Sequence, residues 1–482
     1  MIPDDPITSL DACGLSEAIR KREVSCRATM TAYLNRIDAL NPSYNAIVSL
    51  RPRADLIQAA DERDVQLGRG ERLGWLHGFP LAIKDLASTR DVATSLGSPL
   101  FAGDRPAHDS WTVERMKSAG GIVVGKTNTP EFGLGSHTFN SVFGATCNAW
   151  DRGRSAGGSS GGAAVSLTLR LQPVADGSDM MGSLRNPAAF ANVFGLRPSS
   201  GRVPSGPLGD QFVSQLSTDG PMGRRVRDVA RLLAVQAGHE SRAPLSLADS
   251  AIRFEDAAGG HIGKPRIGWL ADLNGYLAVE PGILDVCEQG LARFESLGAR
   301  VEPAVLGHPP AQVWRIWLAW RHWLVAGRLA ALYADPAKRR LLKPEAVWEV
   351  ERGLALSAAD VYEASVERSL FYRHLVALFE RFDFLALPSA QVWPFAIDER
   401  WPAVIAGRAM DTYHRWMEVV IYASLGGLPA ISLPVGFNDD GLPMGMQLIG
   451  RPQADFEVLR AAAAYEQTIG ELLAREPPLG TG

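Results

Sequence analysis

A stretch of small residues at positions 156–202 constrains this chain more than any other feature. It opens as GGSSGG at residue 157 and continues, after a small-residue segment of helical character, as GSDMMGS from residue 177. Glycine carries no side chain, so backbone N–H groups in such settings can approach a ligand closely. The stretch is too poor in bulky side chains to be ordinary core. Its serines Ser159 and Ser183 are therefore candidates for chemistry.

A lysine far upstream complements these serines. Lys84 lies in PLAIKD, residues 80–85, at the end of an apolar run that reads as a strand. A serine hydroxyl is a poor nucleophile unless its proton can leave during the attack. Lysine accepts that proton only when it is neutral, which requires burial or another influence that lowers its pKa. A Ser/Ser/Lys set of this kind could attack a carbonyl group.

Two other interpretations of the same stretch, a nucleophile elbow and a phosphate-binding loop, have little support from the surrounding sequence. GGSSG at residues 157–161 matches the G-x-S-x-G nucleophile elbow, but that elbow follows a strand and residues 151–155, DRGRS, form a polar loop. Glycines before a helix can also cradle a phosphate. No G-K-[ST] follows them and the chain has no GxGxxG, so the phosphate hypothesis is weak.

The bulk properties exclude several classes of function. A net charge of −4 argues against a nucleic-acid partner. No apolar run approaches the roughly 18 residues that span a bilayer, and the acidic start MIPDDP is unlike a secretory signal. We therefore expect a cytoplasmic protein without a membrane partner. The 4 cysteines form no CxxC pair and the 9 histidines no HExxH, so no disulfide framework or metal site is predicted.

Short apolar strands alternate with helices, which predicts an α/β fold whose sheet is covered on both faces. Strands are predicted at residues 46–50, 79–83, 121–126, 384–388, 430–434 and 444–450. Helices are predicted at residues 9–41, 54–67, 113–119 and 456–468, with Asn41-Pro42 ending the first and 280–380 mostly helical. Residues 240–264 read as a surface excursion. Length alone favours two or three domains, but no repeat or linker is visible, so we predict one domain over residues 1–482.

The chain resembles the amidase signature family along most of its length. The matching blocks are LHGFPLAIKD at 76–85, VGKTNTPEFG at 124–133, the segment 157–202, GLPA at 427–430 and GLPMGMQL at 441–448. The resemblance implies the amidase signature fold, a large mixed central β-sheet wrapped by helices. Its family-type core would span about 60–235 and 380–470, and a variable, substrate-shaping sector about 240–420.

The resemblance also assigns roles to the serines and the lysine. In the family the nucleophilic serine follows a bridging serine, held in cis-peptide geometry, by 24 residues. Ser183 follows Ser159 by that spacing, so Ser183 maps as nucleophile, Ser159 as bridge and Lys84 as base. The expected oxyanion-hole N–H groups are those of Met180, Met181, Gly182 and Ser183. The expected supporting residues are Ser160, Asp179 and Arg185, and the expected pocket residues are Phe132, His137, Met180 and Met181.

One position departs from the family pattern. Met181 stands where the family has a glycine in the loop before the nucleophile. A methionine would strain a backbone that needs positive φ, or, with Met180, it would form a soft wall for an apolar substrate. In the variable sector, Trp314, Trp317, Trp320 and Trp323 recur every three residues. Helical tryptophans are more often core than ligand platform, and we expect at least half to be core.

These observations predict a hydrolase that cleaves a linear amide, or an anilide, carbamate or ester, through a Ser183 acyl-enzyme. The expected partner is a small-molecule amide or carbamate, no metal or organic cofactor is needed, and the protein would be a monomer or homodimer. Two alternatives remain open: the glutaminase component of a tRNA-dependent amidotransferase, and a catalytically degenerate binding protein, which Met181 motivates.

Overall fold

A computed structural model describes residues 5–248, 251–259 and 262–479 of the chain. Residues 1–4 and 480–482 lie outside these ranges, and part of the prediction about the chain's start falls on residues 1–4. Residues 249, 250, 260 and 261, which belong to the expected surface excursion, also lie outside them. No helix in the described ranges is long and apolar enough to cross a membrane.

The described residues form fifteen strands, numbered in chain order. Strands β1 to β15 are Ile47–Val48, Pro80–Lys84, Ile122–Thr127, Phe139–Asn140, Gly144–Ala145, Ala175–Asp179, Phe194–Arg197, Thr218–Gly223, Arg266–Trp269, Arg300–Pro303, Phe384–Pro388, Val404–Ile405, Arg408–Ala409, Ala430–Phe437 and Pro443–Gly450.

The same residues form sixteen α-helices and four short 3₁₀ segments. Helices α1 to α16 are Pro6–Ser9, Ala12–Arg20, Cys26–Tyr44, Arg53–Gly68, Trp111–Ser118, Gly161–Thr168, Arg185–Ala191, Val226–Gln236, Ile283–Ser296, Pro310–Ala334, Pro336–Arg339, Pro344–Leu354, Ala358–Arg381, Ile421–Gly426, Asp455–Glu466 and Gly470–Leu473. The 3₁₀ segments are Pro99–Phe101, Glu131–Gly133, Ala251–Gly259 and Arg415–Val420.

Eight strands build the large sheet in the order β10-β9-β11-β15-β14-β7-β8-β6. The first three strands run parallel to one another, and every later neighbour pairs antiparallel. The sheet is therefore mixed, which confirms the predicted α/β class with a large mixed central sheet.

Helices pack on both faces of this sheet, as glycines in β15 show. A Cβ at Gly445 would lie 3.0 Å from the Cβ of Ala189 in α7, while a Cβ at Gly450 would lie 2.4 Å from Val458 in α15. Residues 445 and 450 point to opposite faces because successive side chains of a strand alternate. These two glycines of β15 thus let helices approach closely from both sides.

A smaller three-stranded sheet, in the order β1-β3-β2, carries Lys84 at the end of β2. Strands β2 and β3 are parallel, and every residue of β2 is buried. Strand β6, the last strand of the large sheet, packs beside β2. The end of β2 therefore meets the strand that leads to the second serine-bearing turn.

The N-terminal helical prediction is wrong in two details. The predicted helix 9–41 is three helices, α1 to α3, with a break after Arg20. Helix α3 also runs past Asn41-Pro42 to Tyr44, with Pro42 inside its last turn. The side chain of Asn41 accepts from the N–H groups of Ala46 and Ile47, so it fixes the turn into β1 after the helix has ended.

Candidate active site

Lys84 lies at the centre of a buried group of hydroxyls. Its side chain is 1% exposed, and Nζ lies 2.8 Å from Ser159 Oγ and 2.8 Å from Ser160 Oγ. Nζ also donates to Ser178 Oγ at 3.0 Å and to the Ser178 carbonyl at 3.3 Å. The structure therefore brings the lysine of β2 to both serines that precede α6.

Burial changes the proton affinity of this lysine. Removal from water lowers the pKa of Lys84 from 10.5 to about 7, although the nearby carboxylates Asp176, Asp219 and Asp179 act in the opposite direction. All three lie on one pair of antiparallel strands, Asp176 and Asp179 in β6 and Asp219 in β8. A large fraction of Lys84 is consequently neutral near pH 7, as a proton acceptor must be.

The peptide bond between Gly158 and Ser159 is cis. The hydroxyl of Ser136 donates a hydrogen bond to the Gly158 carbonyl. A Cβ atom at Gly133 would lie 3.4 Å from Ser159 Oγ. The 3₁₀ segment Glu131–Gly133 and the loop after it thus cover the Ser159 side chain, which is 2% exposed.

Ser183 lies in the turn between β6 and α7 and is 7% exposed. Its carbonyl accepts from the N–H of Ser160 at 3.2 Å, which joins the two serine-bearing segments directly. The preceding Gly182 has φ 76°, a left-handed conformation that glycine adopts without a Cβ penalty. Met180 and Met181 lie outside that region, so the strain considered for Met181 does not arise.

A buried ion pair stabilises the turn between β6 and α7. Asp179 accepts from both Nε and Nη2 of Arg185 at 3.0 Å, and the two side chains are completely buried. The same carboxylate accepts from the N–H groups of Gly182 and Leu184, and its backbone carbonyl accepts from Arg197. Burial alone would raise the pKa of Asp179, but Arg185 and Arg197 outweigh it and hold that pKa far below its usual range.

The N–H groups expected in an oxyanion hole differ in their availability. That of Gly182 donates to Asp179 Oδ1 at 2.9 Å. For Met180, Met181 and Ser183, no acceptor of the backbone N–H is found among the described residues. The turn therefore presents free donors on both sides of Gly182.

The residues expected to form the pocket occupy different environments. Met181 is 2% exposed and packs in the main hydrophobic core, whereas Met180 is partly exposed and its Sδ faces Arg321. Phe132 packs in a separate apolar cluster against α10 and α12, and its ring meets Phe101 edge-on. Met180 thus lies beside a charged group, whereas Met181 and Phe132 pack in apolar clusters.

His137 lies in the wall next to the Ser159 loop, with both ring nitrogens bonded. Nε2 lies 2.9 Å from the Ile397 carbonyl and Nδ1 lies 2.8 Å from Ser155 Oγ. Burial lowers the pKa of His137 to about 4, so the ring is neutral near pH 7. It shares a small cavity with Ser136, Tyr413 and Trp416.

Three polar residues around Lys84 were not predicted from the sequence. Ser178 contacts Nζ, Asp176 accepts from the Lys84 backbone N–H at 3.1 Å, and Asp219 accepts from Thr112 and Ser205. Asp176 and Ser178 alternate along β6 and therefore point to one face. That alternation was a usable signal, but the segment ADGSD lacks residues that favour strands. Within the described ranges, no group of three or more His, Cys, Asp or Glu has an arrangement that could hold a metal ion.

The chain is similar in sequence to proteins of known activity. The family model described as Amidase matches residues 28–459. An acylamidase of Rhodococcus erythropolis is 34% identical over 95% of this chain and 95% of its own length. The A-type component of the glutamyl-tRNA(Gln) amidotransferase of Moorella thermoacetica is also 34% identical, over 98% of this chain and 99% of its own.

Solved structures agree with this similarity. A bacterial aryl acylamidase of the amidase signature family superimposes with a TM-score of 0.91 at 27% identity, covering 98% of this chain and 100% of that one. A 6-aminohexanoate cyclic dimer hydrolase in complex with substrate gives a TM-score of 0.87 at 27% identity, covering 98% and 99%. By fold, by sequence and by a match over nearly its whole length, the chain belongs to the amidase signature family of amide-hydrolysing enzymes.

Proposed function

We propose that this enzyme hydrolyses a linear amide or anilide through an acyl-enzyme on Ser183, with Ser159 and Lys84 as the proton relay. The observation that carries the proposal is the buried contact of 2.8 Å between Lys84 Nζ and Ser159 Oγ, at a lysine whose pKa burial lowers to about 7. The contact supplies an acceptor for the proton that a serine must lose as it attacks.

In the first step Ser183 Oγ attacks the amide carbon, its proton passes to Ser159 Oγ, and the Ser159 proton passes to neutral Lys84. The C–N bond then breaks, the nitrogen takes a proton back through Ser159, and the amine leaves. Water repeats the sequence on the ester of Ser183 and releases the acid.

The oxyanion formed by the attack needs donors in the turn of the nucleophile. The N–H groups of Met180, Met181 and Ser183 are the better candidates, because that of Gly182 is already bonded to Asp179. Losing one such donor typically costs on the order of 10²–10³ in rate. Asp179 and Arg185 contribute indirectly, since their ion pair fixes the turn.

The similarity to the acylamidase of Rhodococcus erythropolis and to the aryl acylamidase structure supports an acyl amide or anilide substrate. The tryptophan-rich helix α10 supports an apolar one, because Trp314 and Trp317 are buried in the same core as Met181. A carbamate or ester with the same outline would fit the same chemistry. We infer a small-molecule partner for this site.

A glutaminase function is the second candidate, because the relatives at 34% identity include A-type components of glutamyl-tRNA(Gln) amidotransferases. Such an enzyme would release ammonia from glutamine. Ammonia release from glutamine, measured beside hydrolysis of an aryl anilide, separates the two functions. We expect the anilide to be cleaved and glutamine to be left intact.

Covalent labelling tests the proposed nucleophile directly. A fluorophosphonate should label the native enzyme, and Ser183→Ala should lose both the label and about 10⁴-fold or more of kcat/KM. Ser160→Ala is the matched control, because its hydroxyl lies as close to Lys84 as that of Ser159 but has no place in the relay. A native enzyme that takes no label would favour the degenerate binding protein, and label retained in Ser183→Ala would reassign the nucleophile.

A further inference from the structure

The side chain of Arg321 belongs to a buried polar cluster that the proposed reaction does not use. Arg321 lies on α10 and is 2% exposed, and its partner Glu349 on α12 is fully buried. Nε donates to Glu349 Oε1 at 2.5 Å, and Nη2 donates to the hydroxyl of Tyr413 at 2.6 Å. Tyr413 in turn donates to Glu349 at 2.6 Å. Two of the three guanidinium nitrogens are thus bonded to good acceptors.

The third nitrogen points to the turn that carries the proposed nucleophile. Arg321 Nη1 lies 3.8 Å from Met180 Sδ, and the described residues offer it no other acceptor. A thioether is a weak acceptor. The weakly bonded donor of a buried guanidinium therefore lies against a residue only three positions before Ser183.

Further buried donors lie on the same face of α10 as Arg321. The indole of Trp317, one turn before Arg321, lies 5.8 Å from the guanidinium carbon and is fully buried. Its N–H has no partner among the described residues, and neither has that of Trp314 one turn earlier. A buried donor without a partner is unfavourable, and a bound acceptor would relieve it. The Arg321 face of α10 therefore carries buried N–H donors that have no strong acceptor among the described residues.

The cluster also reaches the site from the side of Ser159. The ring of Tyr413 packs over Gly135 and lines a small cavity together with Ser136 and His137. The hydroxyl of Ser136 donates to the carbonyl of Gly158, the residue before Ser159. Arg321 and Tyr413 therefore border the site both at Met180 and at the loop that covers Ser159.

The charges in the cluster decide what kind of group it can accept. Burial would raise the pKa of Glu349, but Arg321 and His322 hold it far below its usual range, so the carboxylate is charged and balances Arg321. His414, whose ring lies 5.2 Å from that of Trp314, stays neutral because burial depresses its pKa. An anionic group would bring an unbalanced charge into this environment, which is costly. A neutral oxygen requires only a donor.

We propose that Arg321 determines substrate specificity by donating from Nη1 to a neutral acceptor oxygen in the part of the substrate that lies over Met180. The oxygen is that of a carbonyl, ether or hydroxyl group, and it takes the place of Met180 Sδ. The substrate class is accordingly an amide or anilide that carries such an oxygen away from the scissile bond. This inference rests on the proposed amide hydrolysis and specifies its substrate.

Matched substrate pairs test the proposal. A series of anilides carries an ether oxygen or a methylene at successive positions of the acyl chain and of the ring substituent, and kcat/KM is measured for each pair. The native enzyme should prefer the oxygen at one position by about 10- to 100-fold, as expected of a hydrogen bond to a charged donor. Arg321→Met should abolish that preference through its effect on the oxygen-bearing member. Met180→Leu should keep the preference, because it replaces only the thioether whose place the substrate oxygen takes and leaves Arg321 Nη1 unchanged.

The remaining outcomes are distinguishable. Equal loss of the preference in both variants would overturn the proposal in favour of Arg321 acting only through Met180, and so would a native enzyme without a preference at any position. If Arg321→Met unfolds because Glu349 is left unpaired, Arg321→Met/Glu349→Gln removes both charges and takes its place. A native enzyme that neither hydrolyses any anilide nor takes a fluorophosphonate label contradicts the proposed function instead.

Discussion

Among single residues, Lys84 shows most directly how position sets chemistry. An ordinary lysine with a pKa of 10.5 is neutral in about one molecule in 3,000 at pH 7. Burial at the end of β2 lowers the pKa of Lys84 to about 7, so about half of the molecules carry a neutral amine at that pH. The apolar run before Lys84 predicted this burial. The three hydroxyls that contact Nζ belong to residues far away in the sequence, so the run itself gave no indication of them.

The pH dependence of the rate follows from that pKa. Because only neutral Lys84 accepts the serine proton, kcat/KM should fall about tenfold per pH unit below pH 7 and level off above about pH 8. Asp176 raises the pKa of Lys84, so Asp176→Asn, which keeps an acceptor for the Lys84 N–H, should move the acidic limb to lower pH. Steady-state rates from about pH 5 to 10 measure both effects. A limb centred near 10.5, or one that Asp176→Asn leaves in place, would contradict the assignment of Lys84 as base.

At the scale of elements, the turn between β6 and α7 can present Ser183 because one glycine takes its unusual backbone conformation. The departure from the family pattern at Met181 raised the prospect of strain there, yet the positive φ falls on Gly182. Met181 is free to bury its side chain in the main core. The direction of each residue in such a turn depends on the strand before it, and ADGSD gave no strand signal from which to count.

Gly182→Ala tests how tightly this turn is held. The new Cβ would meet the Val420 side chain at 2.7 Å and would occupy φ 76°, so we expect a loss of stability of about 2–4 kcal/mol from conformation and overpacking together. The displaced turn should also lower kcat/KM by about 10²-fold. Gly103→Ala is the matched control, because its φ is 84° and open space surrounds it, so it should lose only the conformational part. Equal melting temperatures for the two variants would show that Val420 yields and that the turn is loose.

For the molecule as a whole, the parts nearest to the family pattern were the most predictable. The strands at 384–388, 430–437 and 443–450 lie within a few residues of their predicted bounds, because long apolar runs flanked by proline and glycine are strong local signals. Arg321, Glu349 and Tyr413 are separated by dozens of residues and meet only in the folded chain. A single sequence holds no local signal for such a meeting, so this cluster was not predicted.

A buried lysine at the site also affects the stability of the whole protein. The unfolded chain holds the Lys84 proton up to pH 10.5, whereas the folded chain releases it above about pH 7. The unfolded state thus binds more protons between these values, and the stability of the native enzyme rises with pH there relative to a variant without the lysine. The free energy of unfolding of Lys84→Met, relative to that of the native enzyme, should therefore be highest at about pH 6. By about pH 10 this difference should have fallen by several kcal/mol. Urea unfolding of both proteins at the two pH values measures the difference.

Lys338→Met provides the control for this comparison, because Lys338 is an exposed lysine whose side chain is 53% accessible. This variant shows what the loss of a lysine outside the site does to the free energy of unfolding at each pH. Lys84→Met removes hydrogen bonds to Ser159, Ser160 and Ser178, but that loss shifts the whole curve and leaves its slope unchanged. Parallel curves for the native enzyme and Lys84→Met would mean that Lys84 titrates alike in the folded and unfolded chains. A divergent pair would show that the buried base is held at the expense of stability, as expected of a residue selected for catalysis.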